Sequence, residues 1–117
     1  MKTQVASFGL SYDVIKSLHQ IFSASPEVEE VIIFGSRAKG NYSEGSDVDL
    51  VIKGKTVVLD TILNLMFEIE KLELLYRFDI QNFNTIHDQH VLDHIERVGK
   101  VLWNRYKKEY IAERDGN

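Results

Sequence analysis

Three stretches of this 117-residue sequence carry side chains whose type and spacing permit chemistry. The first is Gly35-Ser36, directly after the apolar run Val-Ile-Ile-Phe at 31–34. A glycine there lets the backbone turn sharply and approach a ligand with no Cβ in the way. Ser36 then suits the N-cap of the short segment Arg37-Ala38-Lys39, which Gly40 would close. Amides open at such a start, with a serine hydroxyl beside them, make a site for an anion. Taken alone, the pair is also an ordinary turn.

The second is Asp47-Val48-Asp49, opening the apolar stretch Leu50-Val51-Ile52. Side chains two apart on a strand leave the same face, about 6.5–7 Å apart at Cα. That predicts Val48, Leu50 and Ile52 toward a core and two repelling carboxylates away from it. A hard divalent cation such as Mg²⁺ relieves that repulsion and prefers oxygen ligands and phosphates. The competing reading is a strand that starts at an exposed edge, with both aspartates solvated. Asp79 is the third element, in the middle of an alternating run where aspartate has poor β propensity and no capping role. A third carboxylate beside the first two suits a pair of metal ions about 3.5–4 Å apart that clamp an in-line displacement. A plain edge-strand aspartate is its alternative. His87, His90 and His94 recur at three- and four-residue spacing and imitate a metal site. Lacking thiolate company, they read better as a solvated or partner-facing surface. Tyr106, Lys107, Lys108 and Tyr110 form either a docking surface or an amphipathic tail.

The elements that must hold these residues are legible from periodicity. Val14, Ile15, Leu18, Ile21 and Phe22 predict a helix over 12–22, ended before Pro26. Residues 31–34 and 47–52 read as strands separated by the polar, turn-rich 36–46. A long helix is expected over about 57–75, from Leu59, Ile62, Leu65, Met66, Ile69 and Leu72. A third strand follows over 77–83, with Phe78, Ile80 and Asn82 on one face and Asp79, Gln81 and Phe83 on the other. Thr85 to Asp88 fits a capping box for a last helix through Ile86, Val91, Ile95 and Val98. Gly99 is its expected left-handed cap and 100–103 a short edge strand. The result is one α/β (α+β) domain over 1–117, in the order α-β-α-β-α-β-α, with its core at about 28–103 and a tail at 104–117.

Composition narrows the function classes. A hydrophobic share of 44% and a charged share of 27% are those of a globular protein, and no apolar run is long enough to span a bilayer. No secretory signal is visible, so the expected compartment is the cytoplasm. The absence of cysteine excludes a disulfide scaffold, a thiol nucleophile and a thiolate metal site. A net charge of −4, with Arg105, Lys107 and Lys108 the one local basic cluster, argues against a long nucleic-acid footprint. It leaves room for a small phosphorylated ligand whose charge is met by metal ions.

Together the motifs say more than each alone. Gly35-Ser36, ten residues, then Asp47-x-Asp49 resembles the signature of the DNA polymerase β-like nucleotidyltransferase superfamily. The strings Phe34-Gly-Ser-Arg-Ala-Lys-Gly and Gly45-Ser-Asp-Val-Asp-Leu50 are similar to its minimal nucleotidyltransferase (MNT) branch. The resemblance covers about residues 28–103. It implies the nucleotidyltransferase fold, a small mixed sheet flanked by helices on one side. It also implies that Gly35 and Ser36 hold the triphosphate, with Arg37 and Lys39 in reach of phosphate oxygens. Asp47, Asp49 and Asp79 would be catalytic and would hold two Mg²⁺ ions, Asp79 helping to activate the attacking hydroxyl. ATP is the donor the family leads one to expect. The implied partner is a helical HEPN-domain protein from a neighbouring gene, and the implied assembly is a hetero-oligomer or a homodimer. This chain would be the antitoxin, adenylylating a tyrosine of that toxin. Two other activities fit: a non-catalytic binding antitoxin, and an aminoglycoside-type small-molecule nucleotidyltransferase whose acceptor pocket a partner completes.

Overall fold

The computed structural model describes residues 7–107. Ser11 accepts a hydrogen bond from the Val14 amide at 3.2 Å and so caps the first helix, α1 (Tyr12–Ser23). Ile15, Leu18 and Phe22 lie buried along one of its faces. The chain turns through Pro26 into β1 (Glu30–Phe34), makes the one-turn α2 (Gly35–Lys39), and returns as β2 (Val48–Lys53). Next come α3 (Leu59–Glu70), β3 (Phe78–Asn82), a 3₁₀ turn at Phe83–Thr85, α4 (Gln89–Val98) and β4 (Lys100–Asn104).

The four strands form one mixed sheet in the order β3-β2-β1-β4. β2 runs antiparallel to β1 and parallel to β3, with α3 as the crossover that a parallel pair requires. β4 pairs antiparallel with the far side of β1, with a register shift between Val31 and Ile32. The expected edge strand at 100–103 is therefore present and takes the sheet's outer position.

Strand alternation sorts the core into two. Val31 and Ile33 of β1, with Val48, Leu50 and Ile52 of β2, face the large cluster roofed by α1 and α3. Ile32, Phe34 and Val51 face the other way and meet Ile95 of α4 in a smaller cluster. This corrects the one-sided arrangement expected above. The mixed α/β class holds, but helices cover both faces. A face carrying Ile32, Phe34 and Val51 cannot be left to water, and α4 is the element with apolar residues to spare for it.

Several element ends differ from expectation. α3 stops at Glu70 rather than running to 75. Thr85 does not cap α4: it lies in the 3₁₀ turn and donates to the Asn82 carbonyl at 3.0 Å, while Asp88 caps the helix through the His90 amide at 2.8 Å. Gly99 is extended rather than left-handed, and the space decides that residue, since a Cβ there would run into the Ile95 carbonyl and Ile32. Arg105, read as part of a basic cluster, turns inward to the last carbonyls of α1 and the loop beyond. Its guanidinium donates to Ser25 at 2.7 Å and to Val28 at 2.9 Å. Lys108 and Tyr110 lie outside the described residues.

Candidate active site

The antiparallel β1–β2 pair and the parallel β2–β3 pair bring three chain segments to one end of the sheet. Phe34, the last residue of β1, is opposite Asp49, and Asp49 is opposite Asp79. The register therefore sets two of the predicted carboxylates side by side on neighbouring strands, with Gly35 following directly on the third. Because Val48 and Leu50 point into the large core, Asp49 must point to the opposite face.

Gly35 opens α2 at φ +74°, a left-handed conformation that side chains rarely tolerate. It is also jammed against the site, because a Cβ there would overlap the Asp49 carboxylate. Two independent reasons thus require glycine at this position. The helix cap is Phe34, not Ser36 as anticipated, and no side chain caps the first turn of α2. Ser36 sits inside that turn, and no protein group among the described residues takes up its hydroxyl. Gly40, at φ +90°, ends the turn as expected. Lys39 is exposed at that end.

The three carboxylates differ in environment. Asp47, just before β2, is exposed and only 3.9 Å from the Arg77 guanidinium, a loose surface pair of little energetic weight. Asp79 is exposed on the edge strand. Asp49 between them is half-buried. Burial raises its carboxyl above the ordinary value of 3.8, the charges of Asp79 and Asp47 push it the same way, and Arg37 opposes them. Among the described residues no three acidic or imidazole groups already converge on one point. The trio is nonetheless a set of hard oxygen donors whose mutual repulsion a divalent cation would relieve, and such a donor set fits Mg²⁺.

Arg37 departs most from expectation. Its side chain is 2% exposed and lies between the rings of Tyr42 and Tyr76, 5.2 and 5.1 Å from their centroids. Nε and Nη2 donate to the Ser46 carbonyl at 3.1 and 2.9 Å, and Nη1 donates to Phe8 at 2.9 Å. A further bond of 3.3 Å reaches Glu44. With its donors turned to main-chain carbonyls, Arg37 holds the loop that delivers Asp47 and is not aimed at a phosphate. Sequence reasoning missed this role. The available signal was a charged residue flanked by the apolar strand and Ala38, in a turn too short to project it outward.

The histidines do not assemble. His87 precedes α4, while His94 packs edge-on against Phe34 with ring centroids 6.3 Å apart.

Comparison with known proteins identifies the family and the fold. A family model described as polymerase beta, nucleotidyltransferase matches residues 16–108. No curated protein matches. A chain of a toxin–antitoxin complex with AMP-PNP superposes with a TM-score of 0.62 at 17% identity, over 86% of this chain and 82% of that one. A chain of a mutant MntA–HpeT toxin–antitoxin gives 0.61 at 15% identity, over 86% and 82%. A chain of the complex of a tri-AMPylated Shewanella oneidensis HEPN toxin with its MNT antitoxin gives 0.57 at 14%, over 84% and 76%. At such identities the structural likeness speaks for the fold, while the family match spans most of the sequence. The chain belongs to the polymerase β nucleotidyltransferase family.

Proposed function

We propose that this chain transfers AMP from ATP to a hydroxyl, and that the acceptor is a tyrosine of a HEPN-domain toxin for which it serves as antitoxin. The observation that carries the reading is the placement of Gly35 against the Asp49 carboxylate, with Asp79 in register beside it. An anion-accepting turn and a carboxylate group then share one end of the sheet, as a metal-bound triphosphate requires.

Gly35 and Ser36 would receive the phosphates, the amides of the turn and the free hydroxyl donating to their oxygens. Lys39 stands at the far end of the same turn, exposed and available as a counter-charge. Asp47, Asp49 and Asp79 would hold Mg²⁺, which when bound supplies charge neutralisation at the phosphates. The acceptor oxygen attacks the α-phosphorus, the bond to pyrophosphate breaks, and the acceptor proton passes to Asp79, which is exposed on the edge strand. Arg37 keeps its structural part, orienting the 40–47 loop. The AMPylated toxin in one similar complex and the AMP-PNP in another support this choice of donor and acceptor.

The test is incubation with labelled ATP, Mg²⁺ and the protein encoded by the neighbouring gene. Label is expected on a tyrosine of that protein, and Asp47→Asn with Asp49→Asn is expected to abolish it. Toxin neutralised equally well by the double variant would overturn the catalytic reading in favour of a binding antitoxin. Label on an aminoglycoside but on no protein would replace the acceptor.

A further inference from the structure

The outer face of α3 carries large apolar residues that the fold does not use. Leu59, Leu63 and Phe67 recur every four residues and are 68%, 50% and 60% exposed. Val58 and Met66 extend the stripe, both exposed. The buried residues of α3, Thr61, Ile62, Leu65 and Ile69, occupy the opposite side, so this helix is apolar on two faces. The stripe amounts to on the order of 500 Å² of apolar surface, at the upper end of what a lone domain leaves open. Beyond Met66 it continues into a groove of about 410 Å³ between α3 and β3, bordered by Leu74, Tyr76 and Ile80.

Charge selects the occupant. Asp60 flanks the stripe at its start, and Glu70 and Glu73 border the groove at its end. The adjacent Lys71 is held by Glu68 at 3.2 Å and lies over the Phe67 ring. A second copy packed antiparallel through Leu63 would bring Asp60 of one chain toward Glu68 and Glu70 of the other, a like-charge contact. A helix with apolar residues at i, i+4 and i+7 and lysine or arginine on its margins meets both the stripe and its acidic ends.

We infer that the outer face of α3 is a docking surface for a basic amphipathic helix of a partner protein. The surface lies on the side of the sheet away from Asp49, so a partner can be held there while the nucleotide site stays open. The inference goes beyond nucleotidyl transfer and does not depend on it.

Binding of fluorescent synthetic amphipathic helices, one of leucine and lysine and one of leucine and glutamate, tests this by anisotropy. The lysine peptide is expected to bind saturably, at least tenfold more tightly than the glutamate peptide. Leu63→Ser with Phe67→Ser, which removes apolar surface without adding charge, should weaken it tenfold or more while leaving the circular dichroism spectrum unchanged, because both side chains are at least half exposed. Asp60→Lys with Glu70→Lys should erase the preference between peptides. Equal binding of the two peptides, or lysine-peptide binding indifferent to the Leu63/Phe67 change, overturns the inference. So does a wild-type dimer in sedimentation that this same double variant converts to monomer, since the occupant would then be a second copy.

Discussion

The two faces of β2 make opposite use of the same strand. Val48, Leu50 and Ile52 are wholly buried beneath α1 and α3, whereas Asp49, Val51 and Lys53 pass from half-buried carboxylate through core to ammonium. On the first face every residue contributes apolar burial. On the second, α4 covers Val51, Ile32 and Phe34, and the carboxylates gather at one end of the strands. Stability is thus concentrated on one side of the sheet. The other side tolerates an arrangement that costs stability, carboxylates held near one another with a partly desolvated member. The difference follows from the two-residue period, which lets one short strand serve a core and a site without compromise at any single residue.

Substitutions on each face sharpen or break that division. The largest effect is expected from Leu50→Ala, which empties a fully buried site in the large core and should cost about 3–4 kcal/mol by denaturant unfolding. A loss below about 1 kcal/mol would mean that the α1/α3 face is not the main source of stability. Arg37→Lys comes next. An ammonium cannot make the fork of bonds to Ser46, Glu44 and Phe8, and the change should cost about 2 kcal/mol. If the chain acts as proposed, the change should also lower nucleotidyl transfer, because Asp47 rides on the loop those bonds secure. Full activity in this variant would show that the loop needs no such anchor.

The smallest effect has the opposite sign. Asp49→Asn removes a charge that burial and its neighbours disfavour, so without metal it should stabilise the fold at pH 7, by under about 1 kcal/mol after solvent screening. The sign follows from linkage. A carboxyl raised above 3.8 binds its proton more tightly in the folded chain, so wild type gains stability as pH falls through the folded value. The advantage of the Asp49→Asn variant over wild type should therefore be present at neutral pH and gone near about pH 3. A variant less stable than wild type at neutral pH would show that Asp49 carries a structural role and the two faces are not functionally divided.

Much of this was readable before the fold was seen. Gly35, Ser36, Asp47, Asp49 and Asp79 stand out in the sequence because strand alternation and turn chemistry are local rules, acting over two to four residues. The structure brings Gly35, Asp49 and Asp79 together by register alone. Arg37 is harder to read, because its place is set by how the 40–47 loop folds back to offer the Ser46 and Glu44 carbonyls and by Phe8, twenty-nine residues away in sequence. At Thr85 the reason is local: the 3₁₀ turn after β3 takes up its hydroxyl, and the helix starts three residues later under Asp88.

By itself, the sequence determined the element types, the alternation that separates Asp49 from Leu50, and the spacing of the family motif. Periodicity is a property of neighbours along the chain, so no tertiary information was needed. Only the tertiary structure decided that α4 covers the second face, that Arg37 turns inward, and that α3 keeps an unused apolar stripe. Each of these depends on which surfaces compete for burial once the sheet has formed, and that competition is settled among residues far apart in sequence.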